Sequence, residues 1–577
     1  MSDSYPSRVR RRAAGALALA LGLAIVLAGC AQPAPAPTAA PSGAPQPGST
    51  AAAQATAAPT SAQPSAGQPK RGGTMTIAYK DDLATLDPAI GYDWTNWPAE
   101  KMVFDALLDY DDTTNLVPKL AATMPEISSD ATVYTFKLRQ GVKFHNGREL
   151  KADDVAYSIT RVLDPATKSP GAGFYTGIKG AQEFIDGKAK AIEGIKVVDD
   201  YTIQFTLAHP DVTFANKMAL NFAFIVPKEE VEKQGENFGH NPVGTGPFLF
   251  KEWTSGQQLV FERNPNYFDP ELPRLDKVII QVGVTPDVAL LRLEKGEIDL
   301  MGDPIPPADY VRISQDPAWK DRLVHQPQVS TIYIALNTRM KPFDNVKVRQ
   351  AMNMAINKER IIKLLNGRGT VANQILPPLM PGYDPNYKGY EYNPQKAKAL
   401  LAEAGYPDGF STTIDCIAVD PQPKLVESFQ QDLAQIGVKL EIRTLAASTV
   451  IENGGTEGKS PMIWSGGLAW IQDYPDPDDF YAPILGCGSA VPGGWNWSWY
   501  CNQELEKKAT QALGMTDRQA RLQVIREIFA KLMDDAVWVP VYNGQYDMVH
   551  STALQGKPTD YAHPEHTIRY EYLWKAQ

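Results

Sequence analysis

Residues 393–442, NPQKAKALLAEAGYPDGFSTTIDCIAVDPQPKLVESFQQDLAQIGVKLEI, switch between helical and strand patterns and decide the fold class. Asn393 and Pro394 are typical of a helix cap and a first helical position, and Gly405 follows the last apolar residue of the helical pattern. A second apolar stripe at helical spacing follows, and residues 438–442 (VKLEI) then alternate as a strand does. This succession of helix and strand predicts an α/β lobe.

Other segments of the body extend the same interpretation. Alternating apolar residues at 134–138 and 203–207 predict half-buried strands, and residues 522–532 carry one apolar helical face. Residues 537–542 (VWVPVY) predict extended chain. The body that begins at Gly72 exceeds the roughly 250 to 300 residues at which a single core stops growing, so we expect at least two lobes.

The start of the chain predicts export. Residues 8–30 read RVRRRAAGALALALGLAIVLAGC, with a charged segment, a short apolar segment and a small-residue end. The ending resembles a bacterial lipobox, which predicts a signal peptide over residues 1–29 and lipid attachment at Cys30. A secreted protein with an incidental Cys30 and an uncleaved anchor are the alternatives. Each of the three places the rest of the chain outside the cytoplasm.

Residues 30–71 predict a tether. Positions 31–68 hold no charged residue and consist almost wholly of Ala, Pro, Ser, Thr, Gln and Gly. Such a segment has too little apolar surface to offset the entropy of ordering it, so we expect a disordered stalk. As a flexible coil it reaches roughly 35 Å, which keeps the body close to partners in the same membrane.

Charge and motifs exclude several classes of function. The formal net charge is −10, whereas nucleic-acid binding needs a basic surface. No HExxH, GxSxG or GxGxxG motif occurs, few histidines are present and none is clustered, so we expect no cofactor, no metal and no enzyme activity. Residues 453–460 (NGGTEGKS) miss the phosphate-loop pattern by one residue and lead into a segment unsuited to a helix, which indicates coincidence. No apolar run after the signal is long enough to span a membrane.

Three cysteines remain for the body. Cys487 and Cys501 bracket a Gly- and Trp-rich segment, and in an oxidising compartment we expect them to form a disulfide. Zinc is the competing interpretation, but neither has a CxxC partner or a nearby His. Cys416 lies in an alternating run and is predicted to be a small buried apolar residue.

One loop concentrates aromatic and acidic residues. Between residues 464 and 479 it holds Trp464, Trp470, Asp473, Tyr474, Asp476, Asp478 and Asp479. A loop with Trp beside Asp offers an apolar wall with one charge, which suits an amino group in apolar surroundings. We select Asp473 as the candidate and interpret most of the other acids as a solvated turn. A hydrolase that uses carboxylates of residues 473–479 is the alternative from another class.

Nine stretches, in order along the body, resemble the extracellular solute-binding proteins of ABC importers, in the peptide/nickel class called family 5, which includes dipeptide- and oligopeptide-binding lipoproteins. The stretches are 85–88 (TLDP), 103–108 (VFDALL), 144–147 (FHNG), 151–155 (KADDV), 242–248 (PVGTGPF), 348–356 (VRQAMNMAI), 392–394 (YNP), 405–407 (GYP) and 473–477 (DYPDP).

The resemblance implies a bilobal periplasmic-binding-protein fold, type II-like, with a hinge of two crossing strands and an extra domain inserted in the first lobe. The implied first lobe comprises residues 72–108, 242–325 and 541–577. The implied inserted domain is 109–241 and the second lobe is 326–540. Residues 330–336 and 537–541 are then the expected hinge crossings.

The resemblance also implies the site. Asp473 matches the acidic residue that pairs with a peptide amino terminus, and Trp470 matches an aromatic wall. Further expected ligand contacts are Trp464, Tyr92, Trp94, Asn96, Trp495 and Trp497, the last two because Trp495, Trp497 and Trp499 would share one side of an extended segment. No basic residue for a peptide carboxylate can be assigned.

The function that follows is capture of a short peptide or a similar organic solute, delivered by the closed protein to an ABC permease. Oligosaccharide binding within the same family is the alternative ligand, because aromatic faces stack on sugar rings. A surface sensor that signals instead of delivering is a further alternative. The resemblance implies a monomer.

Overall fold

A computed structural model describes residues 68–93, 95–565 and 568–576 of the chain. The predicted signal peptide (1–29), the lipid site Cys30, residues 31–67 of the predicted tether, and Trp94 lie outside these described residues. Within the described ranges, no helix combines the length and the apolar character needed to cross a membrane.

The strands of the described part are β1 (Thr74–Ala78), β2 (Leu108–Tyr110), β3 (Leu116–Pro118), β4 (Glu126–Ile127), β5 (Val133–Lys137), β6 (Ile195–Asp199), β7 (Thr202–Thr206), β8 (Phe248–Thr254), β9 (Gln258–Arg263), β10 (Lys277–Gln281), β11 (Leu300–Met301), β12 (Leu323–Leu336), β13 (Thr370–Val371), β14 (Ser411–Ile417), β15 (Lys439–Leu445), β16 (Met462–Trp464), β17 (Trp538–Val549), β18 (Leu554–Gln555) and β19 (Trp574–Lys575).

The α-helices are α1 (Asn96–Val103), α2 (Ala152–Leu163), α3 (Ala181–Ile185), α4 (Phe214–Lys217), α5 (Lys228–Gln234), α6 (Pro286–Glu294), α7 (Pro307–Gln315), α8 (Val346–Ala355), α9 (Lys358–Leu364), α10 (Pro394–Glu403), α11 (Gln422–Ala434), α12 (Ala447–Gly454), α13 (Asp478–Tyr481), α14 (Gln503–Leu513), α15 (Arg518–Asp534) and α16 (Pro558–Tyr561).

Three larger sheets organise these elements. A five-stranded sheet has the order β11-β1-β10-β9-β8, and we call it with its helices the first lobe. A six-stranded sheet has the order β13-β17-β12-β16-β14-β15, and we call it with its helices the second lobe. A four-stranded antiparallel sheet, β4-β5-β7-β6, lies in the chain between β1 and β8 of the first lobe. Parallel pairs β1–β10 and β14–β15 make the architecture mixed α/β.

Strands β12 and β17 belong to both lobes. They pair antiparallel over their whole length, from Leu323 opposite Val549 to Ala335 opposite Trp538. At one end Val324 packs into the core of the first lobe, and at the other end Ile334 packs into that of the second. The register shifts between 327 and 331, where the strands leave one core and enter the other, and again between 332 and 333. This pair is therefore the structural connection between the lobes.

The helix and strand patterns of the opening stretch are confirmed. The side chain of Asn393 accepts a hydrogen bond of 2.9 Å from the Lys396 amide, which caps α10. Gly405 ends the helical pattern with φ of +93°. Gly409 and Gly437 also have positive φ, and a Cβ at Gly409 would overlap the carbonyl of Gly437, so this turn accepts no side chain.

The cysteines occupy two environments. Cys416 is fully buried in β14, as its alternating pattern predicts. Cys487 and Cys501 form a disulfide, with their Cα atoms 4.5 Å apart. The bond closes the loop that carries Trp495, Trp497 and Trp499, and it therefore restrains the aromatic residues of that loop.

Candidate functional site

Asp473 lies where the two lobes meet. Ile471, two residues earlier, pairs with Ser330 of β12 in an isolated bridge, so this segment runs along the edge of the crossing strands. The hydroxyl of Tyr92, which follows β1 in the first lobe, donates a hydrogen bond of 2.9 Å to Asp473 Oδ1. The structure thus brings together Tyr92 and Asp473, two of the predicted site residues, from opposite sides of the cleft.

Asp479 holds the loop around Asp473 in shape. One of its carboxylate oxygens accepts the backbone N–H of Asp473 at 2.9 Å and the indole N–H of Trp470 at 3.2 Å. Asp476 forms a two-point ion pair with Arg521, with both N–O distances at 2.7 Å. The loop is therefore anchored at two buried carboxylates, which hold its backbone at Asp473.

The ionisation of Asp473 is unusual. Burial raises the pKa of Asp473 to about 7, and the hydrogen bond from Tyr92 opposes that rise. Burial and the neighbouring charge of Asp473 raise the pKa of Asp479 well above its ordinary value. Since two adjacent carboxylates cannot both ionise easily, we assign the retained proton to the more deeply buried Asp479.

Asp473 has no cationic partner among the residues that the structure describes. Its carboxylate accepts the Tyr92 hydroxyl there and forms no ion pair with Lys, Arg or His. Exposed apolar side chains adjoin it, because Tyr92 bonds to it, Ile471 lies two residues earlier in the chain, and Trp495 packs on Trp470. A partly desolvated carboxylate with an apolar rim suits a ligand that brings its own positive charge.

Tryptophans form the wall next to Asp473. The rings of Trp470 and Trp495 meet edge to face with centroids 6.2 Å apart, and Trp497 stacks behind Trp495 at 5.8 Å. Trp495 is 41% exposed, whereas Trp497 and Trp499 are buried. The expectation that the three share one side of an extended segment is wrong, because the chain turns here: the Trp497 amide bonds to the Trp495 carbonyl at 2.9 Å.

Two expected contact residues lie in the interior. Trp464 is 0% exposed, packs edge to face on Phe429 and donates its indole N–H to Gln422 at 2.8 Å. Asn96 is also 0% exposed, and its side-chain oxygen accepts the Ala84 amide at 3.2 Å. Side chains without exposed surface serve packing, so we remove Trp464 and Asn96 from the candidate site. Trp94 lies outside the described residues.

The acids after Asp473 correct another expectation. We interpreted them as a solvated turn, yet Asp476 and Asp479 are only 6% and 2% exposed. Their partners explain the difference, because Asp476 pairs with Arg521, which is 45 residues away in the sequence. No local pattern near Asp476 points to so distant a partner.

Contacts between the second lobe and the region of the four-stranded sheet, next to Asp473, were not predicted from the sequence. The ring of Tyr474 meets Phe174 edge to face at 6.3 Å, and the ammonium of Lys217 lies 6.0 Å from the Tyr474 ring centre. Nearby, the Val212 amide donates to the Leu513 carbonyl at 2.8 Å. Residues 174, 212 and 217 lie near or within the four-stranded sheet's region, so that region touches the second lobe directly.

The segment that resembles a phosphate loop has a structural role. The side-chain amide of Asn453 donates to the buried carboxylate of Asp415 at 2.8 Å, and the Ser460 hydroxyl donates to the same oxygen. Strand β16, rather than a helix, follows the segment. The helix that a phosphate site requires is therefore missing after residue 460. In the described part of the chain, no three His, Cys, Asp or Glu residues are grouped so as to hold a metal ion.

Comparisons with known proteins identify the family of the chain. Residues 115–491 match the family described as bacterial extracellular solute-binding proteins, family 5 Middle. The chain is 34% identical over 497 residues to heme-binding protein A of Haemophilus influenzae, covering 82% of this chain and 88% of that protein. It is 31% identical over 484 residues to the dipeptide-binding protein of Escherichia coli K12, covering 80% and 88%.

A solved structure extends the similarity to three dimensions. The periplasmic binding protein DppA of Helicobacter pylori, in complex with the peptide STSA, superimposes with a TM-score of 0.71 at 29% identity, covering 88% of this chain and 99% of that one. The bilobal α/β periplasmic-binding-protein fold is confirmed. The chain belongs to family 5 of the bacterial extracellular solute-binding proteins.

Proposed function

We propose that this protein is a lipid-anchored receptor outside the cytoplasm that binds a short peptide, or a similar solute with a free amino group, and delivers it to an ABC permease. Family membership supports capture of a solute without chemical change. Relatives are named for dipeptides, heme and glutathione, and a structural neighbour holds the peptide STSA. The surroundings of Asp473 in this protein favour a peptide over heme, because the central polar group is a carboxylate without a cationic partner among the described residues.

One observation carries the proposal: the Asp473 carboxylate lies between the lobes, on a loop whose backbone is held at that residue, and lacks a cation among the described residues. A ligand ammonium supplies that charge. Trp470 and Trp495 then contact the first side chain of the ligand, and Tyr92 reaches Asp473 from the other lobe. Trp497 supports Trp495 from behind.

Closure couples to binding through the same contacts. Since the Tyr92–Asp473 hydrogen bond crosses the cleft, it exists only when the lobes are together. A ligand that contacts both lobes stabilises the closed state by its difference in affinity for the two states. The permease can then distinguish the loaded receptor from the empty one.

We propose the following organisation of the chain, with residues 1–29 as signal peptide and 30–71 as the lipidated tether beginning at Cys30. The first lobe comprises 72–108, 242–325 and 541–577, the inserted domain 109–241, and the second lobe 326–540. The positions of the three larger sheets are compatible with these boundaries. The protein acts as a monomer.

Oligosaccharide binding is the second candidate, and the exposed face of Trp495 beside Trp470 favours it. Mass spectrometry of ligands released by denaturing protein purified from its own cells separates the candidates. We expect amino-terminated peptides. A sugar as the main ligand would contradict the peptide proposal, and a chemically altered solute would favour the hydrolase alternative. Loss of peptide uptake after gene deletion separates import from a sensing role.

A further inference from the structure

Arg368 is a second charged group between the lobes. It lies in the turn between α9 and β13 of the second lobe, is half-buried, and has its guanidinium carbon 4.8 Å from the ring centre of Tyr310 in α7 of the first lobe. Its Nε donates to the Leu365 carbonyl at 3.3 Å. Among the described residues, its terminal nitrogens have no hydrogen-bond acceptor and no carboxylate partner.

Some arginines of this protein make two or more side-chain hydrogen bonds, whereas Arg139 and Arg322, like Arg368, make one in the described part of the chain and stack on an aromatic ring. Arg521 pairs with Asp476 at two points, Arg161 pairs with Asp87 at two points, and Arg349 donates to two backbone carbonyls. A guanidinium removed from water costs free energy unless it is paired and hydrogen-bonded. Arg368 therefore retains the capacity to bind an anion that enters the cleft.

The strand register places Arg368 and Asp473 on opposite sides of the crossing strands. Thr370 pairs with Asn543, Asn543 pairs with Thr331, and Ser330 pairs with Ile471. These pairings put β13, β17, β12 and the segment at 471 side by side, so the outer two are about 14 Å apart at roughly 4.8 Å per strand. Arg368 precedes β13 by two residues and Asp473 follows residue 471 by two.

Both charged groups also touch the first lobe, Asp473 through Tyr92 and Arg368 through Tyr310. Stacking on a ring occupies a face of the guanidinium and leaves its edge, where the N–H groups point, open to a carboxylate. The cleft thus presents an anion-binding edge and a cation-binding carboxylate at opposite ends of one row of strands.

We propose that Arg368 binds the carboxylate of the ligand whose ammonium Asp473 binds, an inference that rests on the proposed function. An extended chain rises about 3.3 Å per residue, so a separation of about 14 Å corresponds to a peptide of about four residues. The ligand class is then a zwitterionic peptide of about three to five residues with a free carboxyl end. A two-point contact between the guanidinium and the carboxylate recognises the carboxyl end of the peptide.

The test compares tetra-alanine with its C-terminal amide by isothermal titration calorimetry, for the full-length protein and the variant Arg368→Gln. Amidation weakens binding to the unmodified protein about 10- to 100-fold, the range for a lost charge-assisted hydrogen bond. Arg368→Gln weakens binding of the free acid by a similar factor, and amidation then has less than about a threefold further effect. Lys398→Gln, which removes an exposed positive charge of the second lobe, changes neither affinity.

The outcomes separate this inference from the proposed function. If Arg368→Gln weakens the binding of the free acid and of the amide equally, Arg368 acts through its contact with Tyr310. That result overturns the inference about the ligand carboxylate but leaves the proposal of peptide binding intact. If tri-, tetra- and penta-alanine all fail to bind the unmodified protein, both are overturned. Arg368→Lys keeps the positive charge but loses the two parallel N–H donors of the guanidinium. The ratio of its affinity for the free acid to its affinity for the amide should therefore fall below that of the unmodified protein. That ratio decides the matter should Arg368→Gln not fold.

Discussion

Replacing Asp473 with Asn removes the charge that we propose for binding the ligand ammonium and keeps the shape of the side chain. The Asn side-chain oxygen still accepts the hydroxyl of Tyr92, so the contact between the lobes persists. The amide of residue 473 still bonds to Asp479. The variant Asp473→Asn therefore tests the effect of the charge on ligand binding while the contacts of residue 473 within the protein are kept.

The magnitude follows from the surroundings of Asp473. Two unit charges about 3 Å apart attract by about 5 kcal/mol at an effective dielectric constant of about 20. Removing one member of a close charge pair costs about 2 to 5 kcal/mol in measured complexes. With a pKa of about 7, roughly half of the empty protein carries the charge at neutral pH, which reduces the gain only slightly. We therefore expect about a 15- to 2,000-fold loss of peptide affinity.

The same carboxyl makes binding depend on pH, with a definite sign. Below about pH 7 the empty protein holds a proton on Asp473, because burial has raised its pKa, and a ligand ammonium must displace that proton. Affinity therefore rises between about pH 5.5 and 7 by up to about tenfold per pH unit, and it levels off above that pKa. In Asp473→Asn the slope disappears.

Isothermal titration calorimetry with tri-alanine at several pH values tests both statements. Asp408→Asn is the matched control, because Asp408 is exposed in the same lobe and its side chain makes no hydrogen bond or ion pair in the described part. Blocking the peptide amine by acetylation should weaken binding to the unmodified protein as much as Asp473→Asn does. Equal affinity of Asp473→Asn and the unmodified protein for tri-alanine would refute the reasoning.

Three further predictions concern neighbouring features. Tyr92→Phe removes a hydrogen bond that lowers the pKa of Asp473, so the midpoint of the affinity–pH curve should move to higher pH; an unmoved midpoint contradicts this contact. Asp476→Ala leaves the buried Arg521 unpaired and should lower the free energy of unfolding by about 3 to 5 kcal/mol, whereas a melting temperature within error of the control excludes a structural role for the pair. Cys30→Ser should release the protein from the membrane fraction, and continued membrane retention would contradict lipid attachment there.

Local patterns predicted much of the architecture because their causes are local. The Asn393 cap, the helix end at Gly405 and the burial of Cys416 each depend on neighbours within a few residues, and the structure confirms them. The family resemblance supplied the bilobal fold, which periodicity alone could not predict.

The site was harder to predict because its contacts join distant segments. Trp464 and Trp470 look alike in sequence, yet β16 buries Trp464 and the loop leaves Trp470 at the cleft. The pairing of Asp476 with Arg521 spans 45 residues, and the contact of Tyr92 with Asp473 spans 381. No spacing rule reaches across such separations, and for the same reason Arg368 was not recognised as an interlobe residue.

The backbone hydrogen bond from Val212 to Leu513 offers a way to follow the opening and closing of the cleft. Opening the cleft breaks that bond and leaves the Val212 amide to water, while the amides of the four-stranded sheet stay bonded within it. The deuterium uptake of this one amide therefore counts how often the empty receptor opens. A saturating peptide should slow that uptake without altering exchange in β5 and β7. The exchange rate of the Val212 amide then reports how far the ligand shifts the protein to the closed state.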